Sequence, residues 1–122
     1  MNDALALTSE QENALLHLLT TTQQQRQLMT YRQIIEQLRL PAPSVRRLAL
    51  ALELLACVDH KQGWPLRSAL VVSQALPAHP QLGFMQCVQQ LGCFVGVLDE
   101  TNIAAWHKAE LEKVYSFRYP EV

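Results

Sequence analysis

What the sequence lacks narrows the field first. No apolar run reaches the roughly 18–20 residues a bilayer crossing needs, which argues against a membrane partner. The opening Met-Asn-Asp-Ala-Leu-Ala-Leu-Thr carries no basic residue and no long apolar stretch. It is unlike a secretory leader, and a cytoplasmic location is expected. There are only three cysteines, Cys57, Cys87 and Cys93. An odd number without close pairing fits reduced thiols and neither a disulfide framework nor a zinc site. His79 and His107 lie far apart in sequence, and no metal or cofactor is expected. There is no phosphate-cradling glycine loop and no nucleophile beside a base, so no enzyme is expected and no small-molecule ligand is announced. Charged residues are scarce, at 17%.

What is present is apolar content: 49% hydrophobic residues in a chain of 122, enough for one globular domain over 1–122. The net charge of −1 hides a pattern. Residues 1–20 hold three acids and no base. Residues 21–67 hold seven bases against three acids, a local +4, and residues 99–122 are net −2. The middle is mildly basic, less so than in a dedicated nucleic-acid binder.

Residues 41–73 organise the rest. Ser44 is a natural N-cap, and Val45, Leu48, Ala49, Leu52, Leu55 and Ala56 repeat at helical spacing on one face. Gly63 and Pro65 end this central helix. Leu66 to Ser73, β-branched at Val71 and Val72, is the best strand expectation. A long apolar helix is unstable alone, so the other segments should pack on it.

Before it, Ser9 and Glu12 are spaced as a capping box for a first helix. Leu15, Leu18, Leu19 and Thr22 form its inner stripe, Gln23 to Gln25 its solvated end, and His17 a surface position. Thr30 caps a second helix with Tyr31, Ile34, Ile35 and Leu38 inward, and Leu40 to Pro43 connects it to the central one. Two helices joined this way form a helix–turn–helix-like pair.

After the strand, a loop over Gln74 to Leu82 contains Pro77 and Pro80. Gly83 to Gly92 reads as a short helix with Phe84, Cys87, Val88 and Leu91 inward. Cys93 to Leu98 stays open between an extended segment and a strand. A last helix starts near Asp99 or Thr101 and buries Ile103, Trp106, Leu111 and Val114, with Lys108 and Glu112 as an exposed pair. The tail from Phe117 to Val122 is expected to lie loosely on the surface. The fold expected is mainly α: a winged-helix-like core over about 9–73, and a C-terminal helical extension over about 83–117.

Thr30-Tyr31-x-x-Ile34, a proline-containing turn and Ser44-Val45-Arg46-Arg47-Leu48-Ala49-Leu50-Ala51-Leu52 carry a resemblance. They resemble the winged-helix DNA-binding half of the alkylguanine-DNA alkyltransferase and alkyltransferase-like proteins, over about a third of the chain. In that family a Thr-Tyr-Gly element opens one helix, and an arginine near the start of the next props open the minor groove. Arg46 or Arg47 is the matching position, and Arg32 replaces the glycine. The family's reactive cysteine lies in Pro-Cys-His-Arg-Val-Val. With Val71-Val72 on that valine pair, Ser68-Ala69-Leu70 stands where Cys-His-Arg belongs, so the resemblance implies no alkyl transfer. Gly63-Trp64-Pro65, Gly83-Phe84, Leu91-Gly92 and Trp106-His107-x-x-Glu110-Leu111 are similar to small uncharacterised bacterial proteins expected to hold the same core.

Two functions from different classes follow. One is a non-enzymatic module associated with double-stranded DNA, touching backbone phosphates through Tyr31, Arg32, Arg46 and Arg47. The other is a protein-interaction domain or homodimer that has lost DNA binding, with Leu50 and Leu54 as its contact. A recognition helix normally shows polar groups on its outer face. Leu50, Leu54 and Cys57 make that face apolar here, which favours a partner surface. Asp59 with His60, and His107 with Glu110, are expected to be surface pairs, Lys61 a favourable cation at a helix end, and Trp64 a cover over the core.

Overall fold

The computed structural model describes residues 5–74 and 79–120, so the expectations on Pro77, Glu121 and Val122 lie outside the described residues. The architecture is mainly helical. Five α-helices, α1 (Ser9–Gln24), α2 (Tyr31–Leu38), α3 (Ser44–Gln62), α4 (Leu82–Gln90) and α5 (Glu100–Ser116), surround a two-stranded sheet of β1 (Met29–Thr30) and β2 (Val71–Val72). The strands run parallel, with Met29 opposite Val71 and Thr30 opposite Val72.

The central helix is α3. Leu48 and Leu52 belong to one apolar cluster with Leu19, Ile34, Leu70 and Val114. Ala56, further along the same helix, joins a second cluster with Leu66, Phe84, Met85, Val88 and Ile103. One helix thus spans two cores, and burying its stripe ties α1 and α2 to one end and α4 to the other. The stripe begins at Leu48, because Val45 stays 48% exposed.

Several local expectations are shifted by side-chain chemistry. The first capping box is Thr8 with Gln11 rather than Ser9 with Glu12: Gln11 N–H donates to Thr8 Oγ1 and Thr8 N–H to Gln11 Oε1. Ser44 is the first helical residue and Pro43 holds the cap position without a side-chain bond. Thr30 does cap α2, with Gln33 returning the bond. Gly63 takes the left-handed conformation at φ 74°, ending α3 where Cβ-bearing residues are disfavoured.

The largest departure lies at Leu66 to Ser73. Only Val71 and Val72 are strand, and Arg67–Leu70 form a single 3-10 turn. The cause is visible in the hydrogen bonds. The N–H of Leu66 donates to Glu110 Oε2 at 2.8 Å and that of Arg67 to Asp59 Oδ2 at 2.9 Å. Two carboxylates occupy the backbone donors that a strand would have offered to a neighbour. Cys93 to Leu98 is not strand either. It is an irregular connection leading to α5, which Asp99 caps by accepting from Asn102 N–H.

Candidate interaction site

The four residues expected to meet phosphate are scattered in role. Tyr31 is 5% exposed and belongs to the core beside Leu48 and Ile34. Burial, followed by the nearby charge of Glu53, pushes its phenol upward from the ordinary value. Arg32 closes an exposed ion pair with Glu36 on the next turn of α2, at 3.0 Å. Arg47 turns back on its own connector, Nε donating to the Pro41 carbonyl at 2.9 Å and Nη2 to that of Ala42 at 3.3 Å. Only Arg46, in the first turn of α3, is exposed and makes no hydrogen bond or ion pair among the described residues.

Leu50 and Leu54 fare differently. Leu54 is 56% exposed and Val58, one turn further, is 49% exposed. With half-buried Leu50 they make an i, i+4, i+8 ridge along α3. The ridge itself lines a cavity of about 370 Å³ between α1 and α3. Leu15 and Leu16 of α1 face Leu50, Ala51, Leu54 and Leu55 of α3 across it. Leu7, Trp64 and Pro120 also line it, and Glu12 and Arg67 are its charged lining. No sequence motif announced this cavity, because it is made by residues more than a hundred positions apart.

The floor beside Arg67 is a buried polar cluster that local reading places on the surface. Asp59 is 0% exposed. Its carboxylate accepts from Arg67 through Nη2 at 2.7 Å and Nε at 3.2 Å, besides the backbone N–H. The guanidinium lies 5.7 Å from the Trp64 ring and 4.8 Å from the Tyr119 ring. Tyr119 OH donates to the Pro65 carbonyl at 2.7 Å, and Phe117 meets Tyr119 edge-on at 4.6 Å and Trp64 at a tilt at 6.0 Å. The tail is therefore a clamp over the Gly63-Trp64-Pro65 turn, because its aromatic rings supply faces for a buried cation. Gln23 is likewise no solvated end: its amide donates to the carbonyls of Val114 and Phe117.

His107 and Glu110 are also buried, at 5% and 8% exposure. Nε2 of His107 donates to the Ala69 carbonyl at 2.8 Å, and Glu110 holds the Leu66 N–H. Burial lowers the imidazole's proton affinity, outweighing the Ala69 bond that raises it. Both side chains hold α5 against the 3-10 turn. Ser68, 1% exposed, donates its hydroxyl to the Leu52 carbonyl at 2.7 Å, so that proton is engaged by backbone.

A sequence signal for these groups existed. Asp59 sits seven residues after Leu52 on the buried stripe of α3, and His107 and Glu110 fall between Ile103 and Val114 on that of α5. A charged residue in register with an apolar stripe must find a partner inside.

Cys93 Sγ is 3.2 Å from His60 Nδ1, and burial with the charge of Glu53 pushes the Cys87 thiol up to about 11. Among the described residues, no three His, Cys, Asp or Glu side chains are placed to hold a metal ion, and no helix is long and apolar enough to cross a membrane. No protein-family model matches the chain, and no curated protein or solved structure matches it.

Proposed function

We propose that this chain is a non-enzymatic interaction module that pairs with a second copy of itself through α3. The observation carrying this is the ridge of exposed Leu54 and Val58 with half-buried Leu50. Residues four apart form the ridges by which helices most often interlock, with the axes crossing near −50°. Across a two-fold axis the same ridge meets its own copy, as an isologous contact requires. Large apolar side chains half exposed in a row are the surface such a contact removes from water. In this account the helix–turn–helix-like pair α2–α3 is a winged-helix-derived scaffold, and the outer face of its second helix serves protein rather than base edges. The test is the oligomeric state of the native protein and of the Leu50→Glu, Leu54→Glu double variant.

A second function rests on Arg46. Its position in the first turn of a 19-residue helix favours a phosphate near the positive dipole end. Tyr31, Arg32 and Arg47 are engaged elsewhere, so a DNA contact would have few partners. Its test is duplex binding by the native protein at low salt, compared with Arg46→Ala. A loss of binding with a flatter salt dependence supports it, and no measurable native binding removes it.

A further inference from the structure

We propose that the cavity between α1 and α3 is a binding site for a small neutral acyl compound, with its hydrocarbon against the leucines and its carbonyl oxygen on Arg67 Nη1. The self-association above uses the outer surface of α3. Leu50, Leu54 and Val58 of that surface also line the cavity, so a second copy and a ligand would share this wall, and the inference is argued from the space and from Arg67 rather than from the dimer.

The first observation is the space itself. A cavity of about 370 Å³ with leucine walls is at the small end of the roughly 300–1,000 Å³ occupied by small-molecule ligands. Such a site typically combines apolar walls with a few fixed polar groups.

The second observation is an open donor. A guanidinium has five N–H groups in a fixed plane. The Arg67 side chain is 7% exposed, and its Nε and Nη2 are committed to Asp59. Nη1 donates to no acceptor among the described residues. No fully buried side-chain nitrogen or oxygen among them lacks a partner, so Nη1 retains access, and the cavity is what Arg67 lines. Trp64 and Tyr119 flank the guanidinium, leaving its edge as the part a ligand reaches.

Charge selects the kind of acceptor. Asp59 already matches Arg67, and Glu12, which also lines the cavity, forms no ion pair among the described residues. A ligand carboxylate would lose its hydration to meet a guanidinium whose charge Asp59 already matches, with Glu12 in the same lining. A carbonyl of an amide, ester or ketone takes the Nη1 bond without that cost. The volume suits a medium-length acyl chain rather than a larger ligand.

Titration calorimetry of the full chain with octanamide and with octanoate at neutral pH tests this. Octanamide should bind saturably, and octanoate about tenfold or more weakly. Ala51→Phe, which fills the cavity from α3, should abolish octanamide binding while helicity by circular dichroism is retained. Arg67→Lys keeps a cation opposite Asp59 but removes the Nη1 edge, and should weaken octanamide about tenfold. If that variant fails to fold, Ala51→Phe still decides. Absence of saturable octanamide binding, or binding undiminished in Ala51→Phe, overturns the site. Octanoate binding as tightly as octanamide overturns the neutral carbonyl.

Discussion

Asp59 and Arg67 close a buried ion pair across the turn that ends α3, with Nη2 and Oδ1 2.7 Å apart and the two side chains 0% and 7% exposed. The same carboxylate holds the Arg67 backbone N–H, so one acidic side chain sets both the position of the guanidinium and the start of the 3-10 turn. Removing one partner of such a pair leaves an uncompensated buried charge, at a cost of about 3–5 kcal/mol. Asp59→Ala should destabilise the fold by that amount in urea unfolding. Arg32→Ala, which breaks the exposed pair with Glu36, should cost about 0–1 kcal/mol. Equal losses from the two variants would contradict the buried role of Asp59.

His107 predicts a pH dependence. Burial lowers its pKa from the ordinary 6.5, so the folded state keeps it neutral where the unfolded chain takes a proton. The unfolded state then binds more protons below about pH 6.5, and stability rises with pH there. His107's contribution is complete above that value and is lost progressively as pH falls below it. The neutral isostere His107→Gln should flatten the slope of unfolding free energy between pH 7.5 and 5.5. An unchanged slope would place the proton elsewhere.

Arg46 and Arg47 are neighbours in sequence with separate work. Arg47 holds the carbonyls of Pro41 and Ala42, fixing the turn between α2 and α3. Arg47→Ala should therefore cost about 0.5–1.5 kcal/mol of stability, the net worth of ordinary hydrogen bonds. Arg46→Ala should change stability by less than about 0.5 kcal/mol, as for a solvated surface residue. Thermal unfolding of the two variants side by side checks this, and a reversed order would contradict the assignment.

How much was legible in the sequence follows from where each signal is stored. Helical periodicity located all five helices, because a stripe such as Leu48, Leu52 and Ala56 is written in consecutive turns. Gly63 and Thr30 marked their helix ends for equally local reasons. The segment Leu66 to Ser73 departs from the strand its sequence suggests because β-branching at Val71 and Val72 is local, whereas the carboxylates that bend Leu66 and Arg67 come from α3 and α5. Tyr31 carried a motif-like neighbourhood, yet its place in the apolar repeat of α2 decided its burial. The cavity was invisible for the same reason as the turn: Leu16, Ala51 and Arg67 meet only after the helices have packed.

The central claim is that the Leu50, Leu54 and Val58 ridge of α3 is covered by a second copy of the chain. Sedimentation equilibrium of the native protein and of the Leu50→Glu, Leu54→Glu variant measures it directly. The account predicts a native dimer, and a variant of unchanged helicity that sediments as a monomer of 13.8 kDa. A native protein that sediments as a monomer at every concentration, or a double variant that stays dimeric, would contradict it.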